Sequence, residues 1–281
     1  MTILARIFAA PLLLAALLAA SETPADERSR ALLLGTTTSV ENSGLLGPLL
    51  DAFRDDTGIE VRAVVRGSGA ILQLGRSGDF DVVLVHHPDA EKTFIADGDG
   101  VARYPVMTSQ FLIVGPAGDP ADVRTAPDAA GALSRIAAGP FAFISRGDRS
   151  GTNAAERGIW SRAGLAPWAD RARWYRETGS GMGATLNMAS ALSAYTFTES
   201  GSWNGFANRG DLEILLAGGP HLDNPYSVIP INPERHAHIA AGAAARFVGW
   251  LTGPAGQAFI AGFKVDGTPP FTPVRQIANH R

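Results

Sequence analysis

Three short strings carry residue types suited to holding an anion: Thr36-Thr37-Thr38-Ser39, Gly67-Ser68-Gly69, and the run from Ser145 to Thr152, Ser-Arg-Gly-Asp-Arg-Ser-Gly-Thr. Each follows an apolar run with strand character and precedes a run with helix character. A helix start leaves backbone N–H groups unpaired at the positive end of the peptide dipole, so it seats an anion. The hydroxyls add donors, and four in a row are more than one helix cap needs. The glycines around Ser68 let the backbone come close to a ligand, although an ordinary strand-to-helix turn uses the same residues. Arg146 can present a fork to two oxygens of a tetrahedral anion, and Asp148 is spaced to hold that fork. Ser150, Gly151 and Thr152 fall where a helix begins, so their donors converge with it.

Other residues raise other chemistry. Thr178-Gly179-Ser180-Gly181-Met182-Gly183 precedes a helical stretch and is read as a fourth helix start, a mobile flap or a simple loop. His86-His87 follows an apolar run, but neighbours on an extended chain point to opposite sides and make a poor metal pair, so no metal site is expected. Ser150, His86 and Asp148 could form a nucleophilic triad, yet no G-x-S-x-G elbow is present and no base stands beside Ser150 in the sequence. Trp160, Trp168, Trp174 and Tyr175 are expected to pack or line their half of the molecule.

The elements that must place these groups alternate. Strands are predicted over 31–34, 60–65, 80–85, 111–114, 141–144, 194–198 and 212–216, with an extended return over 224–231. Helices are predicted over 45–57, 70–74, 90–96, 127–138, 152–163, 184–191 and 240–251, the last stopped by Gly253-Pro254. Alternation of this kind predicts a mostly parallel sheet covered on both faces, with ligands at the carboxyl ends of strands. The loop 115–120 is the expected crossing between two lobes, and a cleft between them is the economical place for all three strings.

Bulk properties bound the rest. The 281 residues suffice for two α/β lobes, and a 46% hydrophobic, 18% charged composition can bury a core. A formal net charge of −3 argues against nucleic acid and assigns any anion affinity to local geometry. There is no cysteine, hence no disulfide, thiolate or Cys-based metal site. Residues 1–21 have one early Arg, a short Ala/Leu run and small residues at the end, the pattern of a secretory signal peptide rather than a membrane anchor. Its removal takes away Arg6 and no acid. A soluble exported protein is expected, periplasmic in a bacterium.

Taken together, Gly35–Ser39, Asp81–His86, Ser145–Asp148 with Ser150-Gly151-Thr152, Glu177–Ala189 and Asn224-Pro225-Tyr226 resemble the tungstate-binding proteins of ABC uptake systems, a branch of the type II periplasmic binding proteins. The resemblance implies an α/β type II periplasmic-binding-protein fold of two lobes with a cleft between them, lobe I being 30–112 with 226–281 and lobe II 113–225. It implies capture of tungstate, or molybdate, by lobe closure about hinges near 108–116 and 224–231, and delivery to an ABC permease at the membrane by a monomer without cofactor or catalysis. The ligand set it implies is Thr37, Thr38, Ser39, Ser68, Arg146, Ser150, Gly151 and Thr152. The segment from Arg146 through Asp148 to Ser150-Gly151-Thr152 is also similar to one in phosphate-binding proteins. His87 stands where the family commonly carries Asp. The competing expectations are a phosphate or sulfate receptor, with Asp148 accepting a proton from phosphate; a phosphoesterase using Ser150; and a sensor domain presenting the anion to a signalling partner.

Overall fold

The computed structural model describes residues 31–274, so the leader expected over 1–21 lies outside the described residues. The strands are β1 (Leu32–Thr37), β2 (Val61–Arg66), β3 (Val82–Val85), β4 (Tyr104–Pro116), β5 (Phe143–Ser145), β6 (Tyr175–Glu177), β7 (Tyr195–Glu199), β8 (Leu212–Ala217), β9 (Asp223–Pro230) and β10 (Thr272–Pro273). The helices are α1 (Thr38–Asn42), α2 (Leu46–Thr57), α3 (Ser68–Arg76), α4 (Pro88–Ala96), α5 (Ala129–Ala138), α6 (Gly151–Arg162), α7 (Met182–Ala191), α8 (Ser200–Asn204), α9 (Ala241–Thr252) and α10 (Pro254–Gly262). The local chemistry is plain in several of them. α2 buries Leu46, Leu49 and Phe53 on one stripe and ends at Gly58, whose φ of 71° lets its N–H return to the Arg54 carbonyl. β3 is apolar and buried throughout because it lies between β1 and β9. Among the described residues no helix is long and apolar enough to cross a membrane.

The strand order is β2-β1-β3-β9-β4-β7-β5-β6, with β8 and β10 also paired to β4. The expectation of a mostly parallel sheet is corrected. Parallel pairing is confined to β1 with β2 and β3, and to β5 with β6 and β7. The middle of the sheet is antiparallel: β3 to β9, β9 to β4, and β4 to β7 and β8. The reason is that the chain leaves the first half along β4 and returns along β9. An outgoing and a returning strand side by side must run in opposite directions.

β4 changes partners within its length. From Tyr104 to Gln110 it pairs with β9, and from Phe111 to Pro116 with β7 and β8, so the exchange comes ahead of the loop 115–120. The buried clusters follow the same division. Val106, Met107 and Tyr226 pack with Leu32, Phe53 and Phe247, whereas Phe111 and Leu222 pack with Phe143, Trp160 and Tyr195. Trp160 is fully buried in the second cluster, and Trp168, Trp174 and Tyr175 pack around it as expected.

Candidate functional site

The first string sits where β1 passes into α1. Of its four hydroxyls, Thr36 Oγ1 donates to the Leu84 carbonyl, 3.1 Å, and so ties β1 to β3. Thr37 Oγ1 lies 2.8 Å from Ser39 Oγ. Ser39 Oγ also lies 3.1 Å from His86 Nε2 and receives the Tyr226 hydroxyl at 3.0 Å. Thr38 between them is half-buried. β1 and β3 are adjacent and parallel, so their carboxyl ends put this string beside His86.

The second string opens α3, and that helix start has no side-chain cap. Ser68 is buried, and its Oγ accepts the His86 N–H at 3.4 Å. The third string follows β5 and opens α6. Arg146 is 3% exposed; its Nε and Nη2 donate to Asp148 Oδ2 at 3.1 and 2.6 Å. Asp148 Oδ1 accepts the Ser150 N–H at 3.1 Å, so the carboxylate is engaged by its own loop on both oxygens. Ser150 caps α6 by accepting the Asn153 N–H at 3.2 Å. The Gly151 and Thr152 N–H groups of that first turn have no acceptor within the helix.

The three strings meet. A Cβ placed on Gly67 would lie 3.4 Å from Ser150 Cβ, and one on Gly69 3.2 Å from the Arg149 carbonyl oxygen. A Cβ on Gly151 would lie 2.8 Å from the His86 carbonyl oxygen and 3.2 Å from Ser68 Oγ. Contacts therefore run from Thr37 through Ser39, His86, Ser68, Gly151 and Ser150 to Asp148 and Arg146. A cavity of about 240 Å³ opens beside this junction, lined among others by His86, His87, Gly151, Ile159, His221 and Asn224.

Thr152 differs from the expectation that its hydroxyl faces an anion. Thr152 Oγ1 donates to Glu199 Oε2 at 3.0 Å, because Glu199 at the end of β7 is fully buried and needs donors. Ser202 supplies the other, 3.0 Å to Oε1. What Thr152 still presents is its backbone N–H. Ser150 likewise keeps only its hydroxyl proton free, since its N–H goes to Asp148.

Sequence reading gave no site role to four buried polar residues. Glu199 lies at a strand end without a motif around it. Asn224 and Tyr226 entered as part of an extended segment and of a resemblance string with no role in the site, yet Asn224 Oδ1 lies 2.8 Å from His86 Nδ1, and the Tyr226 ring stacks on the imidazole at 4.7 Å between centroids. Glu156 holds the third string from behind: it accepts Ser145 Oγ–H at 2.7 Å, Tyr175 O–H at 2.8 Å and Trp160 Nε1–H at 3.1 Å. Burial pushes Glu156 up to about 7, against the pull of its three donors and of the Arg157 guanidinium. The signal for it was its position one turn inside α6, on the apolar face.

His86 is buried, and desolvation holds it below the ordinary imidazole range. His87 caps α4, accepting the Ala90 N–H at 3.5 Å, and borders the cavity. Among the described residues no cluster of His, Asp and Glu is arranged to hold a metal ion. The glycine-rich stretch after β6 lies behind the third string: Thr178 N–H donates to the Ser145 carbonyl at 3.0 Å and Thr178 Oγ1 to the Arg146 carbonyl at 3.3 Å. A Cβ on Gly147 would strike Glu177 Cβ at 2.6 Å, and its φ of 62° also requires glycine.

A family model described as a PBP superfamily domain matches residues 19–255. The tungstate-binding protein TupA of Peptoclostridium acidaminophilum is 39% identical over 264 residues, covering 91% of this chain and 91% of its own. The crystal structure of the tungstate ABC transporter from Geobacter sulfurreducens matches with a TM-score of 0.76 at 41% identity, over 84% of this chain and 99% of that one. The tungstate-binding protein TupA from Desulfovibrio alaskensis G20 matches with a TM-score of 0.74 at 40% identity, over 88% and 99%.

Proposed function

Because the chain belongs to the periplasmic-binding-protein superfamily, in its branch of tungstate-binding proteins of ABC uptake systems, we propose that it captures a tetrahedral oxyanion, tungstate or molybdate, for an ABC permease. The observation that carries this reading is the meeting of the three donor strings, with Gly67 so close to Ser150 that an added Cβ would touch it, and Arg146 buried on the same loop as Ser150. The anion takes the Arg146 guanidinium, the Gly151 and Thr152 N–H groups, the Ser150 hydroxyl, and donors from Thr37, Thr38, Ser39 and Ser68. The lobes are 30–112 with 226–281 and 113–225, and they close about β4 and β9, the strands they share. Export by the leader over 1–21 places a monomer in the periplasm, where it docks on the permease.

No bond is made or broken. Ser150 Oγ acts as a helix cap, and His86 is engaged by Ser39 and Asn224, which leaves the serine without a general base. The engagement of both Asp148 oxygens inside their own loop also disfavours a protonated anion, whose hydrogen would find no acceptor. Thermal melts of the exported chain with tungstate, molybdate, sulfate, phosphate and chromate test the reading. Tungstate or molybdate is expected to stabilise most, by about 2.7 kcal/mol at a hundredfold excess over Kd. Equal melts with all five, or hydrolysis of a chromogenic phosphate ester that Ser150→Ala abolishes, would overturn it.

A further inference from the structure

The hydroxyl string at the end of β1 is wired to a single imidazole. Asn224 Nδ2 donates to Ser109 Oγ at 2.9 Å and to the Tyr226 hydroxyl at 3.2 Å, which leaves Oδ1 facing His86 Nδ1. A carbonyl oxygen only accepts, so Nδ1 carries a proton. In the neutral ring Nε2 is then a bare lone pair, and its one partner is Ser39 Oγ. The Ser39 proton must go to Nε2. Ser39 Oγ accepts the Tyr226 hydroxyl proton, and its remaining lone pair faces Thr37 Oγ1 at 2.8 Å, so Thr37 donates to it. With Thr36 bonded to the Leu84 carbonyl, three of the four hydroxyl protons of the string point into the protein.

A second proton on the imidazole reverses this chain. Nε2–H becomes a donor to Ser39, whose own proton is released toward the pocket, either directly or by way of Thr37. Adding one proton to the ring thus adds one hydroxyl donor where an oxyanion would sit. We propose that His86 is a positioning residue that sets the direction of the Ser39–Thr37 hydroxyls, so that the protein takes up a proton together with the oxyanion. The proposal rests on the oxyanion reading given above.

The charges facing the ring are consistent with this coupling. Burial, the Arg146 guanidinium and His87 oppose a charged imidazole, while Glu199 from β7 favours it. From β9 come the neutral Asn224 and the stacked Tyr226, and Ser68 from α3 accepts the His86 N–H. An arriving dianion neutralises the opposition from Arg146 and adds negative charge beside Ser39. The balance shifts toward the protonated ring. By reciprocity, protons then tighten anion binding as much as the anion tightens proton binding.

Titration calorimetry with micromolar tungstate, in a buffer of small ionisation enthalpy and in Tris at the same pH, measures the proton. Uptake of up to one proton per anion is expected near neutrality, with affinity rising as the pH falls, by at most about tenfold for each pH unit. His86→Gln can offer an amide N–H toward Ser39, as the doubly protonated ring does, but cannot gain a proton, so its heats should agree between buffers and its affinity should be flat with pH. Asn224→Asp places a carboxylate against Nδ1 and charges the ring beforehand, so uptake should shrink there also. Equal heats in both buffers for the natural protein, or uptake unchanged in both variants, overturn the proposal. No heat and no thermal shift with tungstate at any pH would overturn the oxyanion reading itself, and this inference with it.

Discussion

Arg146 is folded back onto Asp148, giving two N–H groups to one carboxylate oxygen at 2.6 and 3.1 Å, while the other oxygen receives the Ser150 N–H at 3.1 Å. The carboxylate therefore sets the guanidinium and the first turn of α6 in one geometry. A buried cation held this way meets an incoming anion with little reorganisation. The Arg146 side chain is 3% exposed, so solvent screens it little.

Arg146→Ala should weaken tungstate binding by about 2–5 kcal/mol, because it leaves a desolvated anion short of charge-assisted bonds. Asp148→Asn should cost less, since it loosens the fork without removing it. Calorimetry on both variants checks the order of the two losses. An Asp148→Asn loss equal to that of Arg146→Ala would mean that the carboxylate, not the cation, governs the site.

Gly151 and Gly67 lie on opposite sides of the junction, and their substitution should not be equivalent. A Cβ on Gly151 would come 2.8 Å from a backbone oxygen of residue 86, which cannot swing away. A Cβ on Gly67 would meet Ser150 at 3.4 Å, an ordinary contact. Gly151→Ala should thus hold the strings apart, weaken tungstate binding, and cost about 1–3 kcal/mol of stability, the usual cost of overpacking. Gly67→Ala should stay close to the natural protein. Both variants should keep their far-ultraviolet circular dichroism, and parallel titrations give the contrast.

The pattern of these contacts explains what the sequence disclosed. The strings were legible because an anion seat is local: a strand end, small residues and a helix start, all within a few positions. α2, α5, α6 and α9 were legible from apolar spacing to within two residues at each end. α10 was not, because Gly253-Pro254 reads equally as the end of one helix and the start of the next, and Pro254 is the first residue of α10. Antiparallel pairing at the centre of the sheet was hidden too, since it follows from the return of β9 more than a hundred residues after β4, a fact no local window contains. Glu199, and the contacts of Asn224 and Tyr226, escaped for the same reason. Each acquires its role from partners far along the chain, such as His86 for Asn224 at a separation of 138 residues.

Thr152 separates side-chain from backbone roles. Its hydroxyl donates to the buried Glu199, so Thr152→Val should leave that carboxylate one donor short and cost about 1–3 kcal/mol of stability. The backbone N–H proposed above as an anion donor stays in place. Tungstate Kd should therefore remain within about tenfold of the natural value. Chemical denaturation and calorimetry on one preparation test both halves of the statement. A large loss of affinity with unchanged stability would return the hydroxyl to the ligand.

Glu156 makes a prediction about pH. Its carboxyl, raised from the ordinary 4.5 to about 7 by burial, binds a proton in the folded chain that the unfolded chain has already released between those two values. Over that window the folded state holds more protons, so this group's contribution to stability falls as pH rises from about 4.5 and levels off above about 7. The full effect is roughly 3 kcal/mol. Glu156→Gln has no proton to lose and should flatten this part of the profile, with its stability relative to the natural protein improving as the pH is raised. Because Glu156 accepts the Ser145 hydroxyl proton, and Ser145 accepts Asn153 Nδ2–H, the same change reaches the loop that carries Arg146. Denaturation midpoints measured from about pH 5 to 8 for both proteins decide it, and parallel profiles would remove Glu156 as the titrating group.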